Sequence, residues 1–254
     1  MKLIKKLVKI TFKIITIPNI FFTKKFFKKI VFLHPPHCGG NSIHRFLKYN
    51  FGFRGKKIIV DANNNVSDEL EDGEDHFYNF GHFGFDFIKS NFNNDDYFHL
   101  LTVRNPKNIY LSNYYRNKKY RKMYDPEAEF PTLEEFLTNI QKVNKDNFLC
   151  RYLSGLFIYK PNKTKMTDQV FNKAVINLES FKFIFVVEFS KECFKNLTNK
   201  LKIKMNFASI FKNKANKHSD SKYPQISKEA ERLLESMTYY DNKLYKIILT
   251  KNKL

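Results

Sequence analysis

The chain has 254 residues, enough for one sizeable α/β domain with a full core, or for two small domains at most. Apolar residues make up 43% of it, which argues against global disorder. Lysine and arginine total 45 against 25 acidic residues, and the net charge of +20 favours an anionic partner. Only seven of those 45 residues are arginine, so we expect no nucleic acid among the partners.

The cysteine and hydropathy patterns bear on the compartment. Cys38, Cys150 and Cys193 are widely spaced, which predicts neither a disulfide framework nor a zinc site and favours a reducing environment. No stretch reaches the roughly 18 consecutive apolar residues that span a bilayer. The sequence therefore predicts a cytoplasmic protein, at most peripheral at a membrane, with no transmembrane segment.

Residues 1–28 differ from the rest. Apolar residues recur at helical spacing from Leu3 to Ile17, lysines fall on the opposite side, and Pro18 ends the pattern. One interpretation is a helix lying on an anionic membrane surface, and the other is a helix packed on the main domain. We accordingly divide the chain into a basic amphipathic segment at 1–28 and a main domain at 29–254.

In the main domain, short apolar runs alternate with helical patterns. This alternation predicts an α/β fold in which a mostly parallel central sheet is flanked by helices on both faces. The acidic, Asn-rich residues 61–75 are expected to form a surface loop, and 205–225 an irregular segment. Strands are expected at 29–33, 58–60, 77–80, 97–103 and 183–187, and helices from Ser42 and near 106–118, 132–141, 145–153, 167–178, 190–202, 227–238 and 241–249.

The loop after the first strand has the composition of an anion site. Sheets of this kind bind ligands at the carboxyl ends of their strands. Gly39 and Gly40 let the backbone approach a ligand, and the next helix, beginning at Asn41 or Ser42, presents free N–H groups and a positive dipole end. A phosphate is the most natural occupant, although the Gly-Lys-Ser/Thr ending of a Walker A loop is absent. A plain strand–turn–helix connection is the alternative.

Two further strand ends carry unusual residues. Arg104 and, two helical turns later, Ser112 offer a donor fork and a hydroxyl suited to a second phosphate. His82 follows the strand at 77–80 and is a candidate general base. The alternatives are an arginine paired with a carboxylate, a serine on a helix face and a structural histidine. All three signals share one edge of one predicted sheet, which favours a common site.

Together these segments resemble the carbohydrate sulfotransferases, especially the branch of heparan and uronyl 2-O-sulfotransferases. VFLHPPHCGGNSI at 31–43 is similar to the family's 5′-phosphosulfate loop, and LLTVRNPKNIYLSNYY at 100–115 to its 3′-phosphate segment. YNFGHFGFDF at 78–87 is similar to the segment that carries the catalytic histidine in that branch. Weaker similarity at 147–155, 183–189 and 239–248 extends the resemblance over roughly residues 30 to 250, in the same order.

The resemblance implies a P-loop-like three-layer fold and a reaction. Sulfate would pass from 3′-phosphoadenosine 5′-phosphosulfate (PAPS) to a hydroxyl of a carbohydrate, with no metal required. Arg104 and Ser112 would bind the 3′-phosphate, and His82 would act as the catalytic base. The 5′-phosphosulfate would lie on the loop residues His37, Cys38, Gly39, Gly40, Asn41 and Ser42, with His37 also assisting catalysis.

Several positions depart from the family pattern. His37 stands where the family usually has Lys, and an imidazole carries less positive charge at pH 7 than a lysine ammonium. Cys38 replaces the usual Thr, and Asn41 replaces another hydroxyl residue. Asn105 replaces the family Asp, and Ile109 sits where many members have a second Arg.

Two lysine-rich segments suggest further contacts. Lys214, Asn216 and Lys217 are candidates to fold over the nucleotide. The cluster from Lys118 to Lys122 would draw in an acidic glycan or, in the alternative interpretation, form a solvated helix end.

Two other functions compete with the sulfotransferase hypothesis. A P-loop kinase or NTPase would share the strand–loop–helix, but it predicts a Walker A ending and an acidic magnesium ligand, and neither is evident. A basic protein that binds nucleic acid or membrane through a degenerate, inactive nucleotide pocket is favoured by the net charge, by the segment at 1–28 and by His37.

Overall fold

The computed structural model describes residues 29–51, 77–81, 85, 89, 92, 97–156, 163–202 and 223–254. Several sequence predictions fall elsewhere in the chain. The amphipathic segment 1–28, the strand at 58–60, the loop at 61–75 and His82 lie outside the described residues, as do Lys214, Asn216 and Lys217.

Four parallel strands form the sheet, in the order β2-β1-β3-β4. Three sequence predictions, at 29–33, 77–80 and 97–103, are confirmed to within a residue, and the fourth strand ends one residue earlier than expected because a single 3₁₀ turn begins at Val187. The strands are β1 (Lys29–His34), β2 (Phe77–Gly81), β3 (Tyr97–Val103) and β4 (Phe183–Val186).

The two central strands are apolar along most of their length because both of their faces are covered. Ile30 to Leu33 of β1 are almost fully buried, and all seven residues of β3 are buried. Strands covered on both faces have continuous apolar sequences, whereas half-exposed strands alternate. The core of the domain therefore lies on both sides of β1 and β3.

Eight α-helices complete the described chain. Three of them are capped by the side chain of the residue just before the helix: Thr132, Thr167 and Ser227 each accept a hydrogen bond from a backbone N–H of the first turn. The helices are α1 (Gly40–Phe51), α2 (Pro106–Tyr124), α3 (Leu133–Lys142), α4 (Phe148–Leu153), α5 (Asp168–Leu178), α6 (Ser190–Lys200), α7 (Lys228–Met237) and α8 (Tyr239–Asn252).

The strand order places helices on both faces of the sheet. From β1 the chain passes through α1 to β2 on one side, whereas from β3 it passes through α2 to β4 on the other. Right-handed crossovers that leave in opposite directions cover opposite faces. The three-layer α/β, P-loop-like fold is thus confirmed, and the crevice between the carboxyl ends of β1 and β3 is its topological switch point.

Candidate functional site

The loop after β1 and the arginine after β3 meet at this switch point. Leu33 pairs with Leu101 in the parallel ladder, so both strands end at the same edge of the sheet. The Arg104 Nη1 donates a hydrogen bond to the carbonyl oxygen of His37 at 3.3 Å. The sequence prediction that Arg104 and the Gly39–Gly40 turn lie together agrees with this contact.

Turns fold the loop tightly onto itself. His37 and Gly39 both have left-handed backbones, with φ of 65° and 71°. The Cys38 N–H donates to the Pro35 carbonyl at 3.2 Å, and the Ser42 N–H donates to the Gly39 carbonyl at 3.0 Å. Of the five backbone N–H groups from Cys38 to Ser42, two are therefore hydrogen-bonded within the loop.

The remaining N–H groups lie where the loop becomes a helix. α1 begins at Gly40, one or two residues before the expected start at Asn41 or Ser42. Within the part of the chain that the structure describes, the N–H groups of Gly39, Gly40 and Asn41 donate to no backbone carbonyl. These donors and the positive end of α1 are the groups of this loop that could hold an anion.

Both glycines also make room for side chains of the protein itself. A Cβ at Gly40 would overlap the imidazole ring of His34, the last residue of β1. A Cβ at Gly39 would lie 3.0 Å from a Val187 methyl group. The glycines therefore let the loop pack against the end of β1 and the 3₁₀ turn after β4. The sequence did not single out His34, which looks locally like a strand end before a proline.

Cys38 contributes to the site through its backbone. Its thiol is fully buried, and burial raises its pKa well above the ordinary value although the Arg104 charge lies nearby and lowers it. The backbone of Arg104 hydrogen-bonds to the sulfur. The thiol stays protonated and ties the loop to the end of β3.

Arg104 contacts three separate segments of the chain, at His37, Tyr223 and Glu188. Only 5% of it is exposed, and its Nη2 donates to the Tyr223 hydroxyl at 3.3 Å. Its Nε lies 3.8 Å from Oε1 of Glu188, an ion pair without a hydrogen bond. The carboxylate-paired arginine, which the sequence left open as an alternative, is therefore present beside the loop contact.

Ser112 lies on α2, on the helix face that includes Tyr115. The Tyr115 and Tyr223 rings stack with centroids 5.3 Å apart and planes 14° apart. Because Tyr223 also contacts Arg104, the face of Ser112 borders the Arg104 site. Ser112 itself is half-buried.

The end of β2 is next to His82 in the sequence. In the β1–β2 ladder, Gly81 pairs with His34, so β2 ends at the same edge as β1. His82 follows Gly81 in the sequence, and its role as a base stays a prediction.

The sequence motifs did not predict Glu188 and Tyr223 as residues of the site. Glu188 lies two residues after β4, and the rule applied to the other strand ends would have found it. Tyr223 had no local signal, because it lies at the end of a polar, irregular stretch.

Other features of the described residues lie away from this edge. A cavity of about 600 Å³ lies between the end of α4 and α5, lined in part by Ser154, Leu156 and Lys173, and it contains none of the predicted site residues. The described ranges contain no group of three or more His, Cys, Asp or Glu side chains placed to hold a metal ion. None of the helices within those ranges has the length and apolar character that crossing a membrane requires.

No protein-family model matches the sequence, and no curated protein matches it. Among solved structures, the chain is similar to the crystal structure of mouse sulfotransferase SULT7A1 complexed with PAP. The two sequences are 15% identical, the match covers 78% of this chain and 68% of the other, and the TM-score is 0.46. A similarity of this size says nothing about activity.

Proposed function

We propose that the protein is a PAPS-dependent sulfotransferase that acts on a hydroxyl group of a carbohydrate. The contact between Arg104 and the loop at His37 carries the proposal. It brings the two segments that resemble phosphate-binding motifs to one crevice at the switch point of the sheet, where a nucleotide with two charged ends can contact both.

Different residues of the site would bind the two charged ends of the nucleotide. The N–H groups of Gly39, Gly40 and Asn41 would hold the 5′-phosphosulfate, with Cys38 and Ser42 closing the turns around them. His37, in the place of the family lysine, would add an imidazole next to the same group. Arg104 and Ser112 would hold the 3′-phosphate, which distinguishes PAPS from ATP.

The reaction needs one proton acceptor. His82 would take the proton of the acceptor hydroxyl while its oxygen attacks the sulfur in line. The new S–O bond forms as the bond from sulfur to the 5′-phosphate oxygen breaks, and the electron pair leaves with 3′,5′-bisphosphoadenosine (PAP). Alignment and charge stabilisation by the loop and Arg104 supply most of the catalysis.

The surface of α2 supports an acidic carbohydrate as the acceptor. From Asn113 to Tyr124 the helix has no acidic residue. Its exposed side chains include Tyr120 at 45%, Met123 at 59% and Tyr124 at 81% exposure. Tyrosines offer flat apolar faces with a polar edge, and cations attract carboxylates and sulfates. The basic residues of this stretch are Arg116, Lys118, Lys119, Arg121 and Lys122.

This surface is continuous with the nucleotide site. Ser112, Arg116, Lys119 and Met123 follow one another at helical spacing and so share one face of α2. An acidic chain lying along this face would have one end beside the proposed 3′-phosphate site.

Calorimetry with PAP tests the nucleotide site. We expect PAP to bind more tightly than ATP or a short oligonucleotide, and Arg104→Ala to weaken PAP binding. Arg232→Ala removes an exposed arginine of α7 and is the matched control. Unchanged PAP affinity in Arg104→Ala, or tighter binding of the oligonucleotide, would contradict the proposal.

Sulfate transfer from labelled PAPS to a panel of acidic and neutral glycans tests the reaction. His82→Ala should lower turnover by about 10²–10⁴-fold while PAP affinity is kept. His44→Gln, on α1, is the control for loss of a partly exposed imidazole. Wild-type turnover in His82→Ala would refute its role as the base.

The second candidate is a polyanion-binding protein whose nucleotide pocket is inactive. The exposed basic surface of α2 and His37 in the place of lysine favour it. PAP binding without transfer to any glycan would support it. Deletion of residues 1–28 followed by binding to anionic vesicles tests the proposed membrane contact of that segment separately.

A further inference from the structure

Glu188 lies between two elements that would recognise the 3′-phosphate. It belongs to the single 3₁₀ turn Val187–Phe189, directly after β4. Val103 and Val186 pair at the ends of β3 and β4, so the turn lies beside Arg104. Only 23% of the Glu188 side chain is exposed.

The carboxylate of Glu188 accepts two hydrogen bonds and forms one ion pair. Its Oε1 accepts a hydrogen bond from the Asn105 N–H at 3.1 Å and lies 3.8 Å from the Arg104 Nε. Its Oε2 accepts a hydrogen bond from the Tyr245 hydroxyl at 2.9 Å. Tyr245 belongs to α8, so four elements meet at this carboxylate: the end of β3, the start of α2, the turn after β4, and α8.

The charge of Glu188 lies on one side of the planar guanidinium of Arg104 and attracts that side. A guanidinium recognises phosphate through an edge, so its rotation decides whether that edge faces the ligand. The pair with Glu188 holds the Nε side of Arg104, and Nη1 and Nη2 then point to the His37 carbonyl and the Tyr223 hydroxyl. The same carboxylate anchors the first residue before α2, the helix that bears Ser112.

We infer that Glu188, held by Tyr245, is a positioning residue that orients Arg104 toward the 3′-phosphate and thereby sets the preference for nucleotides carrying that group. The inference rests on the proposed function. Glu188 acts through Arg104 and does not touch the nucleotide. A carboxylate that met the ligand itself would repel a phosphate, so its removal would strengthen binding instead.

The test compares two ligands that differ only in the 3′-phosphate, PAP and adenosine 5′-monophosphate. Glu188→Gln keeps an oxygen for the Asn105 N–H but loses the charge beside Arg104, and Tyr245→Phe removes one bond that holds the carboxylate. We expect Glu188→Gln to weaken PAP binding about tenfold, and Tyr245→Phe to weaken it less. The affinity for adenosine 5′-monophosphate should stay unchanged in both variants, because this ligand lacks the 3′-phosphate that Arg104 would bind. A merely structural role of Glu188 would instead lower the affinities for both ligands.

The matched control is Glu231→Gln, which removes a carboxylate of α7 from its exposed ion pair with Lys107 of α2. It should leave both affinities unchanged. Wild-type preference for PAP in Glu188→Gln and Tyr245→Phe, or tighter PAP binding in Glu188→Gln, would overturn the role of Glu188 while the proposed function stands. A wild-type protein without any preference for PAP would overturn both.

Discussion

Asn147 and Asp241 cap each other's helices. The side chain of Asp241 caps α4, which directly follows Asn147, and the side chain of Asn147 caps α8, which contains Asp241 in its first turn. The Asp241 carboxylate, in the first turn of α8, accepts the Leu149 N–H at 3.0 Å and the Cys150 N–H at 2.8 Å in the first turn of α4. Asn147, which precedes α4, accepts the Tyr240 N–H with its side-chain oxygen at 2.8 Å. Helix N-termini leave backbone donors without partners, and this exchange satisfies them inside the core.

Loss of the Asn147 cap should destabilise the protein. Asn147→Ala removes the acceptor of the Tyr240 N–H and the weaker contact to the Asp241 N–H. Because these donors are buried or half-buried, we expect the free energy of unfolding to fall by about 1–3 kcal/mol in urea titrations. Asn196→Ala, exposed on α6, is the control. A change of less than a few tenths of a kcal/mol in Asn147→Ala would contradict the capping role.

Asp241 should make stability depend on pH. Burial raises its pKa from 3.8 to about 6, although the N–H groups of Cys150 and Leu149 lower it. Because the pKa of Asp241 is higher in the folded state, its contribution to stability is fully present below the pKa of the unfolded state. This contribution is lost as the pH rises through the pKa of the folded state. The free energy of unfolding should therefore fall by about 3 kcal/mol between about pH 4 and pH 6 through this group.

Asp241→Asn isolates that contribution. The amide cannot ionise, so its urea midpoint should lack the part of the pH dependence between pH 4 and pH 6 that the wild type shows. Parallel stability profiles for the two proteins would show that Asp241 does not titrate in this range.

A methyl group at Gly40 should disturb the loop. The Cβ of Gly40→Ala would overlap the His34 ring, so the ring or the start of α1 must move. We expect a loss of about 1–3 kcal/mol in stability, and weaker PAP binding because the N–H groups move with the loop. Arg45→Gln changes an exposed residue further along α1 and should bind PAP like the wild type. Equal stability and equal PAP affinity in Gly40→Ala would contradict this account.

The buried hydroxyl of Thr102 lowers the free energy of unfolding, and a substitution can remove this effect. Its hydroxyl is buried in β3, and among the described residues it has no hydrogen-bond partner. A desolvated hydroxyl without a partner is unfavourable, and valine has nearly the same shape. Thr102→Val should raise the free energy of unfolding by about 1 kcal/mol, measured by thermal melting, whereas a lower melting temperature would indicate a partner for the hydroxyl.

The sequence was most informative where local pattern and burial agree. The strand Tyr97–Val103 was predicted with its observed bounds, since it is a mostly apolar run between acidic residues and Arg104. The meeting of Arg104 with the loop after β1 followed from parallel strands ending at one edge.

Helix ends were predicted less well, for physical reasons. α2 continues to Tyr124, beyond the expected 118, because its lysines and arginines are good helix formers that extend into water after the apolar pattern stops. α4 begins at Phe148 instead of 145, because Asn147 has a left-handed backbone with φ of 47° and ψ of 54°.

Two sets of side-chain contacts between distant parts of the chain had no sequence signal. The caps exchanged between Asn147 and Asp241 join residues more than ninety positions apart, and each looks locally like an ordinary polar residue at a helix start. The bond between Tyr245 and Glu188 is likewise formed only when α8 packs near the end of β4.

The bond from Tyr245 to Glu188 also has a consequence for biosynthesis. Glu188 leaves the ribosome 57 residues before Tyr245, so all four strands are made before α8 arrives to hold the carboxylate. A nascent chain at that stage contains the residues of these four strands but lacks the hydrogen bond from α8 to Glu188. Under the proposed function, nucleotide would therefore bind the finished molecule and would contribute little to early, co-translational folding.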